Sequence, residues 1–216
     1  MDIQRIVVSV LPILIAITFH EVAHGFVANK LGDPTAKFSG RLTLNPIVHI
    51  DPVGTILMPI LLFVFTNGQF VFGYAKPVPI NPMNFRDPKK DMAVSAAAGP
   101  VTNILLAVVS QLILKIILLF GVQSAGVGSA VLVPLAMMFE YSILINIVLA
   151  VINLIPIPPL DGGRVLIGFL PHKHAVSYSR IEPYGFIIVI ILLMTGIANV
   201  IIYPVISLLY LLVKFI

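Results

Sequence analysis

Residues 6–28 read IVVSVLPILIAITFHEVAHGFVA. As a helix this run is long enough to cross a hydrocarbon core of about 30 Å. Pro12 inside it is tolerable, because neighbouring groups in a membrane can satisfy the backbone it frees. The C-terminal part breaks the apolar pattern with His20, Glu21 and His24. Ionisable groups in such a place are costly unless they are paired or bind a cation. The stretch is therefore read as a membrane helix whose end carries chemistry.

Composition agrees with that setting. The 216 residues are 59% hydrophobic and 10% charged, with a mean hydropathy of +1.08, whereas a soluble domain carries about 25% charged residues. The N-terminus, MDIQRIVVSVLPILIAITF, has the look of a secretory signal. Arg5 is its only basic residue, however, and the apolar run passes into HEVAH with no small-residue cleavage site, so it is read as a retained helix. Length predicts a single domain over 1–216. The formal charge of +4 does not point to nucleic acid, since the basic residues sit in gaps between apolar blocks and form no patch with interleaved aromatics. There are no cysteines, so any metal must be held by His, Asp or Glu.

Working outward, a polar stretch at 29–51 contains turn formers and short β-prone pieces (LGDPTAK, GRLTLNP). The apolar run 55–65 is short of the roughly 20 residues a span needs, so the element at about 52–72 is expected to be re-entrant or a β-hairpin. A proline-rich charged loop, 74–91, follows. Clear spans are expected over 92–120 and 131–155, joined by an uncharged loop at 121–130. The last block, 184–216, reads either as two short helices broken near Asn199 and Pro204 or as one span with a membrane-dipping tail. The fold class is thus an all-α polytopic membrane protein with about 4–6 membrane segments around a three-helix core. Lys and Arg cluster in 29–51, 73–91 and 161–183 and are absent from 121–130. The positive-inside rule puts the first three on the cytoplasmic side, which again requires 52–72 to return to its starting side and leaves the N-terminus outside.

On a helix, His20 and His24 share a face and can point at one cation. Glu21 is placed to take a proton from water at that cation. Individually such residues are as readily interfacial or satisfied core groups; at this spacing in a membrane helix the metal reading prevails. A catalytic zinc site needs a third protein ligand, and no His or Glu follows HEVAH at the short spacings of other HExxH proteins. The best candidate is Asp161 in PIPPLDGGR, a carboxylate where prolines and glycines break a hydrophobic helix. Irregular backbone at membrane depth is acceptable only where it is buried in protein or lines a wet cavity. The plain alternative is a helix-ending turn with Asp161 paired to Arg164, the preferred reading were HEVAH not present.

HEVAH, GDPTAK, GRLTLNP, AKPVPINP, AAAGPVTN and NLIPIPPLDGGR together resemble the site-2 protease family, in particular its compact prokaryotic branch without a PDZ domain. The resemblance runs from about residue 15 to 170. It implies one catalytic Zn2+ held by His20, His24 and Asp161, with Glu21 as general base. It implies that Asn153 holds the substrate backbone or stabilises the oxyanion; a polar helix–helix contact is the equal alternative for that residue. Asn103 and Asn146 are read as helix contacts, and His49, His172 and His174 as solvated loop residues. The implied activity is hydrolysis of peptide bonds within or near transmembrane segments of other proteins, in the lipid bilayer of a prokaryotic inner membrane, with the site toward the cytoplasm. The 52–72 element, as an edge strand, would pair with an unwound substrate. A divalent-cation transporter would need further acidic residues along a path, and the spans offer only Glu140 besides the site. A non-catalytic scaffold of this fold would be expected to have lost Glu21 or a ligand.

Overall fold

The computed structural model describes residues 3–67, 73–121 and 127–216, with the side chains of 3–7, 120–121, 127–129 and 197–199 left aside. Every regular element among the described residues is helical. Among the described residues, three helices are long and apolar enough to cross a membrane: α1 (Ile3–Lys30), α4 (Pro88–Gly121) and α5 (Val127–Asn153). Between α1 and α4 lie a short α2 (Thr35–Phe38) and α3 (Met58–Phe65). After α5 come α6 (Asp161–Phe169), α7 (His172–Ser179), α8 (Glu182–Met194) and α9 (Ile197–Phe215). A fourth crossing results if α7 and α8, bent by 66° at their junction, count as one span.

Helix α4 is the centre of the assembly and packs against α1, α5 and α6. Its contact with α5 closes a core of Ala107, Leu114, Ile143, Ile147 and Val151, capped by Val213 from α9. The outward faces stay apolar, as Leu11, Leu105, Leu119 and Leu144 show by their exposure. Helices that are apolar on the outside and small or polar where they meet suit a bilayer, where packing and interhelical hydrogen bonds replace the hydrophobic effect between spans.

The element at 52–72 is helical over its described part, so it offers no strand there. Asp51 caps it by accepting from the N–H groups of Val53 and Gly54, and Pro52 occupies the first helical position. A π-helical turn, Pro52–Leu57, leads into α3; residues 68–72 lie outside the described residues. The excursion does return to its origin. The Tyr74 N–H donates to Gly54 O at 3.0 Å and the Lys76 N–H to His49 O at 3.0 Å. Glycine at 54 permits this closure, since a Cβ there would collide with the Tyr74 ring.

The C-terminal block is two helices, as one of the two readings had it, with the break at Thr195–Gly196, a few residues before Asn199. Gly196 adopts φ +75°, the left-handed conformation that ends helices. Pro204 lies inside α9.

Candidate metal centre

His20 and His24 stand one turn apart on α1, with Nε2 atoms 3.0 Å from each other. Asp161 begins α6, and its Oδ2 lies 3.2 Å from Nε2 of His20 and 3.3 Å from Nε2 of His24. All three residues are buried. Arg164 does not take the aspartate; it faces Glu182 at 3.7 Å.

The outer nitrogens of both rings are held by α4. His24 Nδ1 donates to Ser95 O at 2.8 Å, and Ser95 Oγ donates back to His24 O at 3.0 Å. His20 Nδ1 lies 2.5 Å from Asn103 Oδ1. The Asn103 amide is itself oriented, because its Nδ2 donates to Asn146 Oδ1 at 2.8 Å and to Ala16 O at 3.3 Å. Asn146 in turn donates to Ser142 O at 2.8 Å. A backbone carbonyl can only accept, so this sequence of bonds fixes Oδ1 of Asn103 toward His20 and the ring hydrogen on Nδ1. Between Ser95 and Asn103, Gly99 brings the α4 backbone against both imidazoles; a Cβ there would collide with His24 Nε2.

The consequence is electrostatic. With both Nδ1 atoms protonated, two Nε2 lone pairs and a carboxylate oxygen converge within 3.3 Å. Oδ2 of Asp161 is buried and receives no hydrogen bond, a cost that a water or an ion at this point would relieve. Ligands of a tetrahedral zinc with bonds of about 2.0–2.2 Å stand about 3.3 Å apart. The donor set and its spacing therefore fit such an ion, and these residues are the metal-competent group among the described residues.

The loop that delivers Asp161 is locked by close backbone approaches. A Cβ on Gly162 would collide with Leu154 O, one on Gly163 with the Pro158 backbone, and one on Gly185 of α8 with Pro158 O. Tyr178 adds a hydroxyl that donates to Pro156 O.

Glu21, on α1 between the histidines, accepts the Val78 N–H on Oε2 at 2.8 Å. Asn153 ends α5 and donates to Leu149 O at 2.9 Å, within its own helix. Asn103 and Asn146 are helix contacts as expected, but Asn103 also holds His20, which the sequence reading missed. Its distance from HEVAH in sequence hid that bond; its place one helical turn after Gly99 was the available signal. His49 corrects the reading of it as a solvated residue: it is 2% exposed and bonds Thr43 O through Nε2 at 2.9 Å. His172 and His174 are exposed on α7. Glu140 on α5 is paired with Lys214 Nζ of α9 at 3.3 Å.

Outside the spans, Asp33 organises the loop beyond α1. It accepts from the Asn81 N–H at 2.7 Å, Asn84 Nδ2 at 2.8 Å and both donors of Thr35. Burial pushes its carboxyl upward, but these hydrogen bonds outweigh burial and leave it below the ordinary carboxylate value.

Residues 115–196 match peptidase family M50, a segment that includes Asp161 and stops short of HEVAH. YwhC of Bacillus subtilis (strain 168), named as a candidate zinc metalloprotease, is 36% identical over 198 residues, covering 92% of this chain and 85% of that protein. That length leaves too few residues outside to exclude either HEVAH or Asp161. Rip2 of Mycolicibacterium smegmatis, similarly named, is 30% identical over 189 residues, 86% of this chain and 66% of its own. Rip2 of Mycobacterium tuberculosis (strain H37Rv) is 27% identical over 170 residues, 79% of this chain and 59% of its own. No solved structure matches. With an M50 match over residues 115–196 and a relative this similar across most of both chains, the protein belongs to peptidase family M50.

Proposed function

We propose that the chain is a single-domain intramembrane zinc endopeptidase, acting over 1–216 on peptide bonds within or near transmembrane segments of other membrane proteins. The observation that carries this reading is the convergence of His20 Nε2, His24 Nε2 and Asp161 Oδ2 while α4 claims both Nδ1 hydrogens. These three residues hold the metal, and zinc is the ion that the relatives' names carry. Zinc, when bound, supplies Lewis acidity toward the scissile carbonyl and toward water.

The remaining work belongs to side chains. Glu21 takes a proton from the attacking water as its oxygen bonds to the carbonyl carbon, and then passes that proton to the departing amine nitrogen. Water gains a C–O bond, the C–N bond breaks, and Glu21 ends as it began. Asn153, at the end of α5, is assigned the bond to an unwound substrate backbone or the oxyanion, a role that requires its amide to leave Leu149 O. The charged loops support a site that opens toward the cytoplasmic face, in what is read here as a prokaryotic inner membrane. His20 lies about 15 Å along α1 from Lys30, so the site is submerged and is reached by water from that face.

The test is Glu21→Gln in the purified protein, assayed on a model transmembrane substrate with zinc measured alongside. Zinc retained and cleavage abolished is the expected result. Normal cleavage by that variant would remove Glu21 from its role.

A further inference from the structure

Between Lys76 and Ile80 the backbone carries a single amide hydrogen, because Pro77 and Pro79 have none. That hydrogen, on Val78, is donated to Glu21 Oε2. The N–H groups of residues 74, 76 and 78 all turn inward, to Gly54 O, His49 O and Glu21 respectively, as alternate residues of an extended strap do.

Three restraints hold Val78 over Glu21. Its side chain is buried against α1 where Gly25, one turn beyond Glu21, leaves room; a Cβ on Gly25 would lie 2.8 Å from Val78 Cγ1. Arg41 donates through Nη2 to Lys76 O at 2.7 Å and to Pro77 O at 3.4 Å, the two carbonyls just before Val78. Asp33 accepts the Asn81 N–H just beyond it. Arg41 is 6% exposed and Asp33 fully buried. Two buried charged groups thus bond the backbone on either side of Val78, Arg41 through Nη2 and Asp33 through Oδ2.

We propose that the Val78 amide is a positioning group for the general base, acting through Glu21, and that Arg41 is a positioning residue acting through the strap. A glutamate has several rotors. The tether on Oε2 selects one arrangement and leaves Oε1 free to take the proton, so that orientation is established before substrate binds. The inference rests on the reading of Glu21 as general base.

The experiment replaces Val78 by its α-hydroxy analogue in the full chain, which exchanges the N–H for an ester oxygen and keeps the side chain. Zinc content, KM and kcat are then measured on a model transmembrane substrate. The expected result is a kcat lower by roughly tenfold to a hundredfold, with zinc content and KM unchanged, since base alignment acts in the transition state alone. Wild-type kcat in the ester variant would overturn the inference. Should the ester variant fail to fold, Arg41→Met and Arg41→Lys decide in its place. A lowered kcat in the methionine variant that lysine partly rescues supports the strap, and wild-type kcat in a zinc-loaded Arg41→Met protein overturns it. Glu21→Gln separates the two levels. Normal cleavage there removes the general-base reading itself, whereas a dead Glu21→Gln beside a fully active ester variant removes the strap alone.

Discussion

Asn103 and His20 are 83 residues apart in sequence, yet Asn103 Oδ1 receives the His20 Nδ1 hydrogen at 2.5 Å deep between α1 and α4. The bond is the last in a series that starts at the Ser142 carbonyl and passes through Asn146, so the orientation of one imidazole of α1 is decided from α5 by way of α4. Groups that orient metal-binding histidines commonly contribute 10- to 100-fold in affinity or activity (about that range). Asn103→Ala should weaken zinc binding by about that factor, read by competition with a chromophoric chelator, and an unchanged affinity would mean that α1 alone fixes the ring.

Gly99 has no room for a side chain. The methyl group of Gly99→Ala would be aimed at the Nε2 edge of His24 and at His20 Cε1. The variant should lose most of its zinc even though alanine suits a helix better than glycine by about 1 kcal/mol. A zinc-loaded, fully active Gly99→Ala protein would show that α4 can withdraw from the histidines.

The contact of α8 with the loop before Asp161 is equally close. Gly185→Ala would force a methyl onto Pro158 O, a rigid backbone atom between two prolines' worth of restraint. Overpacking of this sort costs about 1–3 kcal/mol. Thermal unfolding in detergent should shift downward, with zinc content falling as Asp161 is displaced; no shift would mean that α8 moves freely.

Acid should act through Asp33. Its folded-state pKa lies below the ordinary value because hydrogen bonds from Thr35, Asn84 and Asn81 to the carboxylate outweigh the opposing effect of burial. A depressed carboxyl contributes stability that is fully present above its unfolded value of about 3.9 and is lost as pH falls through the folded value. The melting-temperature gap between wild type and Asp33→Asn should thus be constant above about pH 5 and narrow below about pH 4. A gap independent of pH over that range would contradict the ionised hub.

Much of the site was legible because its signals are local. The i, i+4 histidines of HEVAH and the proline–glycine setting of Asp161 can be read without knowing what lies opposite them. The three spans were legible from apolar length, and the return of 52–72 from the charges on either side. What escaped depends on long-range partners. Asn103 looks like any interhelical amide until its oxygen is seen on His20. His49 sits in a polar stretch, and only the fold buries it beneath the strap. Val78 contributes through its backbone, which has no side-chain signature; the flanking prolines were the sole hint. The β-hairpin alternative fell because Asp51 and Pro52 start a helix, and the C-terminal break moved because the left-handed Gly196 stops α8 while a proline within a membrane helix need not.

If His20, His24 and Asp161 jointly hold one zinc ion, metal analysis of the purified wild-type protein and of Asp161→Ala, with X-ray absorption at the zinc edge, will show it. Wild type should carry one zinc per chain in a shell containing two imidazoles and oxygen, and Asp161→Ala should lose most of its zinc. Full zinc occupancy in Asp161→Ala with an unaltered shell, or a wild-type protein that holds no zinc, would contradict the joint site.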